Sequence, residues 1–383
     1  MDRVTIDSAL LSWALERSGK TPEKFANRFP KLDVWLSGTV SPTFKQLEAF
    51  SKATYTPMGY FFLPEPPAES LPIPDFRTFS STSVKRPSAN LLDTLYTMQR
   101  RRDWLREQLI EEEASPLAFV GSARLNDPPE SVGQEMRRIV GLEDGWAVHV
   151  HTWTDAVGEL RRAIETLGVL VVINGVVGNN TSRKLDVHEF RGFALCDEYA
   201  PAIFVNGADF ESAKMFTLAH ELAHIWIGRE GLSGFEGIVA TGNDVEKYCD
   251  AAAAEFLVPA HELHALWPKI KRNALPFNDI ARRFKVSPVV AARRAWDLRL
   301  IGKEHFFTFY KEYTAEEHQK KSVKKGGGDF YNSQNTRVGA RFTSEVIRAA
   351  KEGRIQYREA YSLTGLYGNT FKKYVQHLGF DLL

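Results

Sequence analysis

His220 and His224 stand four residues apart in the run His220-Glu221-Leu222-Ala223-His224. On a helix that spacing puts both imidazoles on one face with Glu221 beside them. A hydrolytic zinc site takes three protein ligands, keeps an open position for water, and uses a nearby carboxylate to take the water's proton as it attacks a carbonyl. His220 and His224 are therefore the candidate ligands, and Glu221 the candidate proton acceptor. A third ligand should come from a second helix, and the segment Asp244-Val245-Glu246-Lys247-Tyr248-Cys249-Asp250 offers Glu246 and Asp250, again four apart. Glu246 would bind the metal. Asp250 would hydrogen-bond the far nitrogen of a ligand histidine, fixing its tautomer and raising its basicity. Two other residues compete with Glu246: Cys249, because thiolate is a good zinc ligand, and Glu255, in a stretch that otherwise reads as packing. A lone cysteine among alanines also suits a small buried position. The cofactor expected is zinc, or manganese in its place.

The elements that must position these groups can be read around them. Phe216-Thr217-Leu218-Ala219 before the motif and Ile225-Trp226-Ile227 after it keep the helix apolar where it has to pack. Upstream, three runs have strand length and strand composition: 168–173, 190–195 and 202–205. The fold class expected is α+β, a small three-stranded sheet packed on the histidine helix and flanked by helical domains. If Ala202–Val205 is the edge strand beside that helix, an extended peptide can pair with it. Phe204, Asn206 and Tyr248 are then the candidates for substrate binding, the alternative being an ordinary core strand. Tyr248, His188, His261 and His264 are open alternatives for stabilising a developing oxyanion.

The chain has 383 residues, 43% hydrophobic and 25% charged, with a net charge of +1. Several domains are expected at that length, and the charge gives no overall pull toward DNA or membranes. Two cysteines, Cys196 and Cys249, are too few for a disulfide framework. No signal-peptide order and no bilayer-length apolar run are present, so a cytoplasmic protein without membrane contact is expected. Residues 1–63 read as a small helical domain. Residues 64–150 hold a proline-rich linker and a charged helix from Asn90 to Glu113, whose arginines Arg100-Arg101-Arg102 read as a solvated face. Residues 151–310 carry the metal motif, 311–328 a linker ending in Lys324-Lys325-Gly326-Gly327-Gly328, and 329–383 a last helical domain.

Taken together, Phe216 to His224, Glu246 to Asp250 and Ala253-Ala254-Glu255-Phe256-Leu257-Val258-Pro259 resemble the ImmA/IrrE family of metallopeptidases, over roughly Gly168 to Leu300. The resemblance implies a gluzincin-like fold, in which Glu246 and Asp250 match a Glu-x-x-x-Asp pattern like that of thermolysin-type enzymes. It also implies a zinc endopeptidase of narrow specificity, acting in the cytoplasm on a DNA-binding repressor or a mobile-element or stress regulator. Residues 1–63 resemble an Xre-type helix-turn-helix domain, with one departure. Between Phe25-Ala26 and Ser37-Gly38 the chain is short by about one helical turn for a helix that fills a major groove. A degenerate domain kept for packing is the alternative there. Ile280–Ala295 and Tyr357–Val375 share the helix, turn, helix rhythm, and in the latter Phe371 and Tyr374 read as core. DNA is thus a second candidate partner. A DNA-binding or antitoxin-like regulator, with the peptidase fold as sensor or scaffold, is the competing function. A third is a latent protease whose cleft the flanking domains cover.

Overall fold

The computed structural model of the chain describes residues 3–75, 86–233, 243–320 and 333–380. Its contacts divide it into two compact units, Met1–Pro72 with Ser81–Tyr96, and Ile73–Ser80 with Thr97–Leu383.

The first unit is helical. Helices α1 (Ser8–Arg17), α2 (Glu23–Ala26), α3 (Leu32–Leu36) and α4 (Phe44–Thr54) are followed by a 3-10 turn at Met58–Phe62. Local chemistry sets the ends of the longer two. The Asp7 carboxylate accepts from the Ala9 amide, and Thr43 and Gln46 form a reciprocal capping box at α4. Leu10, Leu11, Phe25, Phe29, Trp35, Leu47, Phe50 and Phe61 form its core. Buried Arg17 is held by Glu69 at 2.8 Å and by the Tyr55 carbonyl. In the stretch where the sequence is short, α2 has 4 residues and α3 has 5.

Helix α5 (Ala89–Glu111) runs on into the second unit. There the order is α6 (Pro129–Val140), α7 (Trp153–Thr166), β1 (Leu170–Asn174), β2 (Val176–Val177), β3 (Asn180–Lys184), β4 (Gly192–Leu195) and β5 (Ala202–Asn206). Then come α8 (Glu211–Trp226), β6 (Gly231–Ser233), α9 (Asp244–Leu257), α10 (Ala260–Ile270), α11 (Pro276–Phe284), α12 (Pro288–Asp297) and α13 (Lys303–Lys320). A π-helical turn at Asn335–Gly339 leads into α14 (Ala340–Lys351), α15 (Tyr357–Thr364) and α16 (Gly368–His377). The expected α+β class is what forms, but the main sheet has four strands, in the order β1-β5-β4-β6, and β2 with β3 makes a separate hairpin. β1 pairs parallel to β5, β4 antiparallel to β5, and β6 antiparallel to β4. Strand β6 is only three residues long, too short to leave a composition signal.

Three sequence expectations change here. Ala202–Asn206 lies between β1 and β4, so it is an interior strand with no free edge for a peptide. The arginine run on α5 is not simply solvated: Arg101 is buried, donating to the Leu363 and Arg337 carbonyls, and Arg102 pairs with Glu230 at 2.9 Å. The stretch expected to start a linker at 311 continues helix α13 to Lys320, while Lys324–Gly328 lies outside the described residues. No helix among the described residues is long and apolar enough to cross a membrane.

Candidate metal centre

Helix α8 is apolar on nearly every side because it is enclosed. β4 and β5 cover one side, and α7 and α9 pack against others. Twelve of its sixteen residues are buried, among them His220, Glu221 and His224. Its end is fixed by a close backbone approach. The Gly121 amide donates to the Ile225 carbonyl and the Ala123 amide to that of Trp226. Gly228 turns the chain at φ +64, and a Cβ there would come within 3.0 Å of the Gly121 Cα, so glycine is required. That turn returns the Arg229 carbonyl to His224, whose Nδ1 meets it at 3.1 Å.

A carbonyl only accepts, so His224 carries its proton on Nδ1 and presents a bare Nε2. His220 is held in the same way, with Nδ1 at 2.9 Å from the Asp250 carboxylate. The two Nε2 atoms face each other at 3.1 Å, and the Glu246 carboxylate stands 3.3 Å from His220 Nε2 and 3.0 Å from that of His224. Three donor atoms thus converge within 4.8 Å of one another, an arrangement that repels itself unless a proton or a metal cation sits among them. Two imidazole nitrogens and one carboxylate fit a divalent metal ion.

The electrostatics of these side chains show the same convergence. Burial works against charge on His220, yet the carboxylates of Glu246 and Asp250 hold its imidazolium well above the usual histidine range. Burial lowers His224. Burial raises Glu246, but the histidines outweigh it and bring its carboxyl down to about 2. Glu221 is raised to about 8, first by burial, with the charge of Glu246 adding to it. Neither Glu221 oxygen has a hydrogen-bond partner among the described residues.

Gly192 of β4 passes directly over Glu221, and a Cβ there would lie 2.7 Å from its Oε1 and 2.9 Å from the Phe204 carbonyl. Ser233 of β6 is the register partner of Gly192, and its hydroxyl draws the Glu221 carboxyl downward. Sequence reading missed both residues. A glycine inside a strand signals close approach, so Gly192 was within reach; Ser233 carries no such signal.

Other candidates go elsewhere. Tyr248 stands about 200° around α9 from Glu246, and burial, with the charges of Asp127 and Glu130 adding to it, raises its hydroxyl to about 12. Phe204 is buried against Phe193 and Phe190, and the Asn206 amide is committed to the Phe190 carbonyl and the Ala208 amide. Cys249 is buried in the core, and burial raises its thiol well above the usual range. Glu255 is no ligand candidate: it is fully buried in an ion pair with Arg294 and accepts from Gln134 at 3.2 Å. His261 pairs with Asp144 at 2.7 Å, and His188 and His264 lie on exposed surface.

Residues 164–295 match the model of the peptidase family described as IrrE N-terminal-like domain. The match spans β1 to α12 and contains every group of the metal centre. It supports the ImmA/IrrE resemblance for this part of the chain and peptidase chemistry of the metal-dependent kind. Residues 338–377 match a domain of unknown function, DUF8813. Comparison with curated proteins gives no match.

Proposed function

We propose that the chain is a zinc-dependent endopeptidase of narrow specificity whose substrate is a DNA-binding repressor or a mobile-element or stress regulator. One observation carries the reading: two imidazole Nε2 atoms and a carboxylate converge beside the buried Glu221, inside a segment that matches a peptidase family. Two nitrogens and one oxygen are the donor set of hydrolytic zinc, whereas manganese prefers a site richer in oxygen. The substrate class rests on the ImmA/IrrE resemblance.

When bound, the ion supplies Lewis acidity toward water and toward the scissile carbonyl. His220, His224 and Glu246 hold it, while Asp250 and the Arg229 carbonyl keep the two rings turned inward. Glu221 moves the proton. Its carboxylate takes one from the attacking water as the oxygen bonds to the carbonyl carbon, and delivers it to the amide nitrogen as the C–N bond breaks. Enclosure suits this shuttle, because burial raises the Glu221 carboxyl to about 8, close enough to neutral pH for it both to accept and to release a proton.

The test is to incubate the purified protein with regulators encoded beside its own gene. Cleavage should need added zinc, stop with chelator and vanish in Glu221→Gln while zinc content stays unchanged. A Glu221→Gln protein that keeps both cleavage and its cellular effect would refute the reading and favour a sensor or scaffold role.

A further inference from the structure

We propose that α15 and α16 form a helix-turn-helix that docks on double-stranded DNA, with α16 entering the major groove. This site is separate from the metal centre and does not depend on the peptidase reading.

The buried positions of the two helices set the geometry. Ala360 and Thr364 of α15, Leu366 of the turn, and Phe371 and Tyr374 of α16 all point inward, none more than 2% exposed. The others stand 4, 6, 11 and 14 residues on from Ala360, and the two helices meet where the rings of Tyr361 and Phe371 lie 5.1 Å apart. The link is three residues, Gly365-Leu366-Tyr367, and Gly365 takes the left-handed conformation at φ +69, as a tight turn between crossed helices needs. The turn is held from both sides. Arg101 donates to the Leu363 carbonyl at 2.9 Å, and Asn179, at the tip of the β2–β3 hairpin, donates to the Gly365 carbonyl at 3.1 Å.

This packing leaves one face of α16 uncovered. Tyr367, Gly368, Asn369, Thr370, Lys372, Lys373 and Gln376 are all exposed, with Tyr367 at 65%. The face is polar and basic, not apolar, so it does not suit another helix. Lys372 and Lys373 form no ion pair among the described residues, and α16 carries no carboxylate. Residues 338–377 hold seven lysines and arginines against three carboxylates, in a chain whose total charge is only +1. Arg358, exposed on the first turn of α15, adds a cation to the same pair of helices. Ten residues of helix span about 15 Å with a diameter of about 10–12 Å, which fits the roughly 12 Å major groove of B-DNA. An RNA duplex closes that groove to a helix.

The similar segment at α11 and α12 shows what a committed version looks like. There Arg294 is buried on Glu255 and the Val258 carbonyl, Arg293 pairs with Asp297, and Trp296 stacks on Phe306. That second helix offers no polar face to a groove, so DNA contact through Ile280–Ala295 is not proposed.

The experiment measures anisotropy of a labelled 30-base-pair mixed-sequence DNA duplex, and of an RNA duplex of the same sequence, titrated with the full chain from 50 to 200 mM salt. The expected result is DNA binding that weakens steeply with salt. The K372E/K373E double variant should bind at least tenfold more weakly, with the slope of log affinity against log salt reduced by about 2. Lys269→Glu, an exposed charge change on α10, should bind like the unmodified chain. Matching thermal melts keep the comparison fair, since both lysines are exposed. Equal DNA affinity in the double variant, equal loss in Lys269→Glu, or equal binding of the RNA duplex would each overturn the proposal.

Discussion

Asp250 touches the metal centre only through His220, which makes it a sensitive probe of the arrangement. Replacing it with alanine removes the acceptor 2.9 Å from Nδ1 and frees the ring to turn. Such outer partners are worth about 10–100-fold in metal affinity, or about 1.4–2.7 kcal/mol. The Asp250 side chain is 39% exposed, so water can replace part of what is lost and the effect should fall near the tenfold end. Asp250→Asn keeps an acceptor oxygen and loses only the charge, so it should cost less than Asp250→Ala. The pH dependence separates the two contributions further. Although burial opposes it, carboxylates including Asp250 hold a proton on His220, and zinc must displace that proton. The gap between the unmodified chain and Asp250→Asn should therefore widen as pH rises and narrow as it falls. Competition titration of zinc against a chelating dye from pH 6 to pH 8.5 measures both. Zinc affinity within twofold of the unmodified chain in Asp250→Ala at pH 8 would refute the idea that Asp250 orients a ligand.

Gly192→Ala should lose cleavage and cost about 1–3 kcal/mol in denaturant unfolding, because its Cβ would meet Glu221 Oε1 and the Phe204 carbonyl, both within 2.9 Å. Glu255→Ala should destabilise by about 3–5 kcal/mol by stranding Arg294, yet keep full zinc stoichiometry; the double change Glu255→Leu with Arg294→Met should restore most of the loss. In metal-stripped protein, burial first and the charge of Glu246 next raise Glu221 to about 8 from an ordinary 4.5, so the folded chain holds a proton that the unfolded chain releases. Stability should then fall as pH rises from about 4.5 to 8. Thermal melts of metal-stripped Glu221→Gln should show a flatter profile across that interval, and an unchanged slope would remove Glu221 as the cause.

Much of the metal centre was legible because its spacing is local. A helix places residues four apart on one face whatever surrounds it, so His220 with His224 and Glu246 with Asp250 followed from the sequence alone. The same rule could have turned Tyr248 away from Glu246, since two residues along a helix is the opposite side. Strand existence was legible for β1, β4 and β5 from their apolar runs, but strand order was not. Whether Ala202–Asn206 is an edge depends on β1 pairing along the side of β5 that β4 leaves open, and that contact joins residues about thirty positions apart in sequence. Burial of charge was hidden for the same reason. Arg101 looks like a surface residue until the Leu363 carbonyl is brought to it, and the Arg294 that pairs with buried Glu255 likewise comes from a distant part of the chain. The sequence by itself determined which side chains share a helical face. Only the tertiary structure decided which faces meet, because that choice is made by packing between elements.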